Sequence, residues 1–249
     1  MGRKSPLRYW LTGAGNGVGA ALAQALLETG AWVAVSTCSA QTCEALSTRY
    51  PGQVLPAPGN LSDSQTVREI GEFIAQRWGG LDRVILNAGT AEYVCGQPPE
   101  EAMIEHIVRS NLLAASFCIE TARPLLGAGT DAHLVGIASP VTYLTSLQAT
   151  GGRSLRELFD AARHELAAEG IDVTLVTPGI DSTSLNLDDC FPKPAHWSAD
   201  DAAAYILGQL TERPDAVTLS VSCVTALWPL SQAEAQAAPG DPTNRTDQG

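Results

Sequence analysis

Between Leu11 and Ala20 the chain reads Thr12-Gly13-Ala14-Gly15-Asn16-Gly17-Val18-Gly19, and this glycine-rich stretch constrains the fold more than any other. Tyr9 to Leu11 read as a short strand before it. Gly17 to Glu28 read as a helix after it, with Ala and Leu on one face. Glycines at a strand-to-helix turn permit positive φ and let the backbone approach a ligand without a Cβ in the way. The helix that follows directs its unpaired N–H groups and positive dipole end at the same spot, which suits a pyrophosphate. Packing alone rarely needs so many glycines in one turn.

The rest of the chain repeats the alternation. Strands are expected at Ala31 to Ser36, Gln53 to Ala57, Arg83 to Asn87, His133 to Ala138, Ile171 to Thr177 and Ala216 to Val224. Between them lie helical patterns. One is capped by Ser62 or Asp63 and runs toward Trp78, and a long one runs from about Glu101 toward Arg123, with a stop at Gly127 to Thr130. Others cover Leu155 to Glu169 and Ala199 to Leu210. Short apolar strands alternating with longer helices imply an α/β fold, a Rossmann-type doubly wound parallel sheet with helices on both faces, in a single domain. We expect residues 1–230 to form that domain. Residues 231–249 hold almost no large apolar side chain and are expected to be a disordered tail.

Composition narrows the function. The 249 residues carry 15 Lys and Arg against 27 Asp and Glu, a formal net charge of -12 with no run of basic residues, which argues against nucleic acid as a partner. No apolar stretch reaches the roughly 18 residues of a membrane span, and none has signal-peptide form, so a cytoplasmic protein is expected. The six cysteines (Cys38, Cys43, Cys95, Cys118, Cys190, Cys223) form no CxxC pair and read as reduced, partly buried thiols. His106, His133 and His164 lack metal-ligand spacing and read as surface or strand-end residues, so no metal is expected.

From about Tyr9 to Pro229 the sequence resembles the short-chain dehydrogenase/reductase family. The glycine turn, with Gly13, Asn16, Gly17, Val18 and Gly19, matches the family's phosphate-binding TGxxxGxG. Asn87-Ala88-Gly89 matches its NAG segment, and Asn111 matches the active-site Asn of the long helix. Ser139 matches the catalytic Ser, and Pro178-Gly179 with Thr183 match the segment beside the nicotinamide. The resemblance implies NADP or NAD as cofactor.

Two further family groups are a Tyr that exchanges a proton with the substrate oxygen and a Lys four residues later. Counting back from Glu165-Leu166-Ala167, these positions fall on Gln148 and Gly152. A Gln amide can hydrogen-bond a carbonyl but cannot serve as an acid or base. A phenol of pKa about 10 needs a neighbouring cation at neutral pH, and Gly152 offers none. Tyr143 lies in the preceding loop, with Leu147 rather than Lys four residues on, and Arg153 stands one position past the expected cation. Losing one acid–base group alone costs about 10²- to 10⁴-fold in rate. At the positions that distinguish NAD from NADP stand Thr37, Cys38 and Asn16, all uncharged, and Asn60-Leu61 replaces the Asp-containing pair used against adenine.

Four readings remain open, in this order. The first is a non-catalytic, supporting subunit for an active homologous family member, in a homo- or hetero-oligomer. Its helix faces containing Leu112, Ala115, Phe117, Ile119, Leu155, Leu158 and Phe159 would serve core or interface. The second is a non-redox enzyme (isomerase, lyase or cyclase) that orients a small apolar carbonyl-type ligand through Asn111, Ser139, Tyr143 and Gln148. An atypical oxidoreductase and a dinucleotide sensor follow.

Overall fold

In the computed structural model, residues 5–15, 17–37, 40–87, 101–138, 154–178 and 198–219 are described here. Seven strands make one sheet: β1 (Arg8–Thr12), β2 (Trp32–Ser36), β3 (Val54–Pro56), β4 (Arg83–Asn87), β5 (His133–Ile137), β6 (Asp172–Pro178) and β7 (Ala216–Leu219). The helices are α1 (Gly17–Glu28), α2 (Ala40–Arg49), α3 (Ser64–Trp78), α4 (Glu101–Gly127), α5 (Leu155–Ala167) and α6 (Ala199–Gln209), the last continued by a 3-10 turn, Leu210–Glu212. The order across the sheet is β3-β2-β1-β4-β5-β6-β7, and every pairing is parallel. The chain therefore winds outward from β1 in one direction, then returns to β4 and winds outward in the other. Such a reversal opens a crevice beyond the C-terminal ends of the strands.

Alternate side chains of each strand feed two cores. Tyr9, Leu11, Val33, Val35, Ile85 and Ile137 pack with α1 and α6. Trp10, Ala34, Val84, Leu86 and Leu134 pack with α3, α4 and α5. Both faces are covered, which is why the strands read as apolar runs rather than as alternating ones. Gly136 has no room for a side chain, because a Cβ there would lie 2.2 Å from the Phe159 ring of α5.

Helix ends follow local chemistry. Asp63 caps α3 by accepting from the Thr66 N–H at 2.9 Å, and Gly79 ends it in the left-handed conformation. Ser154 and Glu157 form a reciprocal capping box at the start of α5, and Ser198 with Asp201 does the same for α6. α4 runs past Arg123 and takes in Pro124, ending at Gly127. At position 124 the missing N–H leaves the Glu120 carbonyl without its helical donor, on the exposed side of the helix.

The opposite, N-terminal edge of the sheet is tied by charge. Asp82, almost fully buried, accepts from the Arg8 backbone and guanidinium and from the Thr130 N–H and hydroxyl. Although burial opposes ionisation, Arg8 and these N–H donors hold its carboxyl well below the usual carboxylate range. Arg83 pairs with Asp131 at 2.5 Å, and Arg213 pairs with both Asp131 and Asp172. Arg213 adopts φ 50°, the left-handed region, as its 3-10 turn closes. His133 is completely buried here rather than at the surface, with Nε2 2.9 Å from the Thr174 hydroxyl.

Candidate functional site: a glycine cradle at the switch point

β1 and β4 are neighbours, and the turn after β1 is clamped between the ends of β2 and β4. The Gly13 N–H donates to the Ser36 carbonyl of β2 at 2.9 Å. The Asn87 side-chain amide, at the end of β4, donates to the Gly13 carbonyl at 3.1 Å. These bonds hold Gly13 at φ +66°, where an L side chain would be strained and its Cβ would lie 2.6 Å from the Asn87 carbonyl. Gly19, on the first turn of α1, packs so closely that a Cβ would stand 2.0 Å from the Gly13 carbonyl and 2.8 Å from the Asn87 amide nitrogen.

Gly17 differs from these two. It is exposed, has φ +50°, and nothing lies within 4 Å of where its Cβ would be. Gly13 and Gly19 are therefore glycines because the turn folds onto β4, whereas at Gly17 the left-handed φ alone calls for one. α1 has no acidic residue in its first turn. No acidic side chain of that turn offsets the positive end of the helix dipole, which suits an anionic diphosphate.

β2 is fixed beneath the turn by a buried relay. The Trp10 indole N–H donates to the Ser36 hydroxyl at 3.0 Å, and that hydroxyl donates to the Ala57 carbonyl at 2.7 Å. Thr37 follows, also buried, with its hydroxyl oxygen 2.7 Å from where a Gly15 Cβ would be. Sequence reasoning missed the relay. Its one signal was a Ser at the end of an otherwise apolar strand.

Of the residues expected to serve a dinucleotide, Gly13, Gly17, Val18, Gly19, Thr37 and Asn87 are brought together at this turn and the two strand ends flanking it. Asn60 and Leu61 follow β3, and the Asn60 side-chain oxygen accepts from the Ser62 N–H at 3.1 Å and hydroxyl at 2.7 Å. Pro178 ends β6. Asn16, Cys38, Ala88, Gly89, Gly179 and Thr183 lie outside the described residues.

The residues expected to meet a substrate are less completely placed. Asn111 is on α4, half-buried, engaged with a neighbour, and lies between the buried Val108 and Ala115. Ser139, Tyr143, Gln148 and Gly152 lie outside the described residues. Ser154 is extended (φ -109°, ψ 158°) and caps α5, which begins at Leu155.

Among the described residues no group of three or more His, Cys, Asp or Glu side chains could hold a metal ion. Nor is any described helix long and apolar enough to cross a membrane. Cys43 and Cys118 are buried and free, and burial pushes the Cys118 thiol up to about 12.

Comparison with known proteins agrees with this geometry. Residues 9–189 match the family model described as short chain dehydrogenase. An uncharacterized oxidoreductase of Methylorubrum extorquens is 30% identical over 178 residues, covering 68% of this chain and 71% of that protein. The crystal structure of a short-chain dehydrogenase from Streptomyces avermitilis superposes with a TM-score of 0.69 at 21% identity, covering 90% of this chain and 92% of that one. A short chain dehydrogenase from Burkholderia cenocepacia, solved in complex with NADP, gives 0.64 at 24% identity over 87% of this chain and 97% of its own. The chain belongs to the short-chain dehydrogenase family.

Proposed function

We propose that this chain holds a nicotinamide dinucleotide in its glycine cradle and acts as a supporting subunit for an active, homologous oxidoreductase, without the family's ordinary proton relay. The observation that carries the reading is a contrast. The Asn87 clamp on Gly13 and the close fit at Gly19 keep the cradle intact, while Gln148 and Gly152 remove the acid and its cation.

The residues present fit the cofactor. The α1 N-terminus would meet the diphosphate, Gly13 and Gly19 would keep the turn tight, and Asn87 would hold the turn against β4. When bound, the nicotinamide supplies hydride chemistry. What the chain's own groups then lack is a proton carrier at the substrate oxygen. Asn111, Ser139 and Gln148 would still hydrogen-bond a small apolar carbonyl compound, with Tyr143 nearby in sequence, but none replaces a Tyr activated by Lys. The Burkholderia relative's complex with NADP favours the dinucleotide part of the reading.

The subunit part rests on helix surface. Leu113 on α4 is 42% exposed, and Leu112, Phe117 and Leu158 are only half-buried. Leu112, Phe117 and Leu158 also pack against the core, and the apolar surface they and Leu113 leave open on α4 and α5 suits a second subunit.

The test is an oxidoreductase assay of the purified chain, alone and mixed with an intact family member from the same organism, over a panel of small ketones. The reading expects dinucleotide binding, turnover at least about 10²-fold below an ordinary enzyme for the chain alone, and a stable complex with the intact protein. Turnover by the chain alone at about 1–10³ s⁻¹ would overturn it.

A further inference from the structure

The cradle reading leaves open which dinucleotide is taken, and the structure bears on that question through the end of β2. In a doubly wound sheet the side chain there meets the adenosine ribose. An acid binds the 2′-hydroxyl, and an Arg nearby accepts a 2′-phosphate. In this chain Ser36 cannot turn outward, because its hydroxyl both accepts from Trp10 and donates to Ala57 inside the core. The next side chain, Thr37, lies against Gly15 of the turn.

The surroundings are as neutral as Thr37 itself. No Asp, Glu, Lys or Arg occurs from Tyr9 to Leu27, from Thr29 to Cys43, or from Pro51 to Ser62. These segments contain the β1–α1 turn, the end of β2 and the end of β3, which together line this end of the crevice. The first carboxylate beyond β3, Asp63, is occupied in capping α3 through the Thr66 N–H and hydroxyl. Among the described residues of these segments, the charge-bearing feature is the N-terminal end of α1, which acts on the diphosphate shared by both dinucleotides.

We propose that Thr37 makes this site indifferent to the 2′-phosphate, so that NADH and NADPH bind with nearly equal strength. The inference rests on the cradle reading of the preceding section. Each form forgoes one partner. NADH finds no carboxylate for its ribose diol, and NADPH finds no guanidinium for a phosphate that carries about -1.5 to -2 charges. A charge-assisted hydrogen bond contributes roughly ten- to hundred-fold in affinity, and here neither dinucleotide receives one from these segments.

Calorimetric titration of the full-length protein with NADH and NADPH tests this. The dissociation constants are expected to agree within about five-fold at physiological salt, where the field of the chain's -12 net charge is screened. Thr37→Arg should tilt the ratio toward NADPH by about ten-fold or more. Melting curves establish that the variant is folded. If Thr37→Arg fails to fold, the wild-type ratio still decides. A wild-type preference beyond about twenty-fold for either form would overturn the inference while leaving the cradle standing. Failure of both to bind up to millimolar would overturn the cradle reading, and this inference with it.

Discussion

His133 provides a prediction whose size follows from geometry. It begins β5, pairs in register with Arg83 of β4 and Asp172 of β6, and is completely buried. The Thr174 hydroxyl donates to the Pro214 carbonyl at 2.5 Å, so it accepts from His133 Nε2, which therefore carries the proton. That leaves Nδ1 as a buried acceptor without a hydrogen-bond partner, and the Arg83 Nε is likewise unpartnered. The nearby ionic groups are Arg83, Asp131, Asp172 and Arg213, two cations already matched by two carboxylates. A proton on Nδ1 would add an unmatched charge in a buried place. Burial first, and the charge of Arg83 second, push the imidazole from 6.5 down to about 4.

A histidine that is neutral when folded and ordinary when unfolded stabilises the fold above its unfolded pKa. That stability is lost as pH falls from about 6.5 toward about 4, because the unfolded chain binds the proton first. Each pKa unit corresponds to about 1.4 kcal/mol, so the whole window amounts to about 3 kcal/mol, and about 2 kcal/mol is gone by about pH 5. Urea unfolding at about pH 8 and about pH 5 reads this directly. His133→Gln keeps an N–H donor near Thr174 and cannot titrate. It should therefore lose about 2 kcal/mol less stability than wild type between the two pH values. Equal losses in the two proteins would refute the argument. The Asp82 contribution lies lower in pH, since a depressed carboxylate gives up its stabilisation only as it becomes protonated.

Other substitutions test the cradle and its supports. Gly19→Ala places a methyl against the Gly13 carbonyl and should cost about 1–3 kcal/mol of stability by thermal unfolding and weaken NADPH binding in calorimetry. Asn87→Ala removes the bond to the Gly13 carbonyl, and NADPH affinity should fall about five- to ten-fold with the fold retained by circular dichroism. Ser154→Ala breaks the capping box of α5 and should destabilise by about 1 kcal/mol in urea unfolding, without changing dinucleotide affinity.

Where the chain advertised its structure, it did so through patterns with a single physical solution. β4, read as Arg83 to Asn87, has those bounds because a continuous apolar run between polar ends suits a strand covered on both faces. The start of α1 at Gly17 was equally plain, while Ser62 and Asp63 were equal candidates for the cap that Asp63 supplies. α2 escaped notice. Its sequence is mostly exposed, with Cys43 its buried residue among those described, so no apolar stripe marked it. Gly127 to Thr130 supply the stop, and α4 ends at Gly127 with Pro124 carried within it on the exposed side. A histidine at the first position of a strand reads the same whether inside or out, and the interior place of His133 is set by partners on β4 and β6.

At the site, the glycines and Asn87 were legible because their roles are carried by backbone shape and by one amide. The Trp10–Ser36–Ala57 relay was not, since its members are far apart in sequence and each looks like an ordinary core residue.

The measurement that bears most directly on the account is one titration of the wild-type chain with NADPH in the calorimeter, with a ketone panel then added to the saturated protein. The account predicts saturable binding in the micromolar range and no oxidation of the nicotinamide on the time scale of an ordinary family enzyme. Absence of binding up to millimolar, or prompt oxidation by the chain alone, would contradict it.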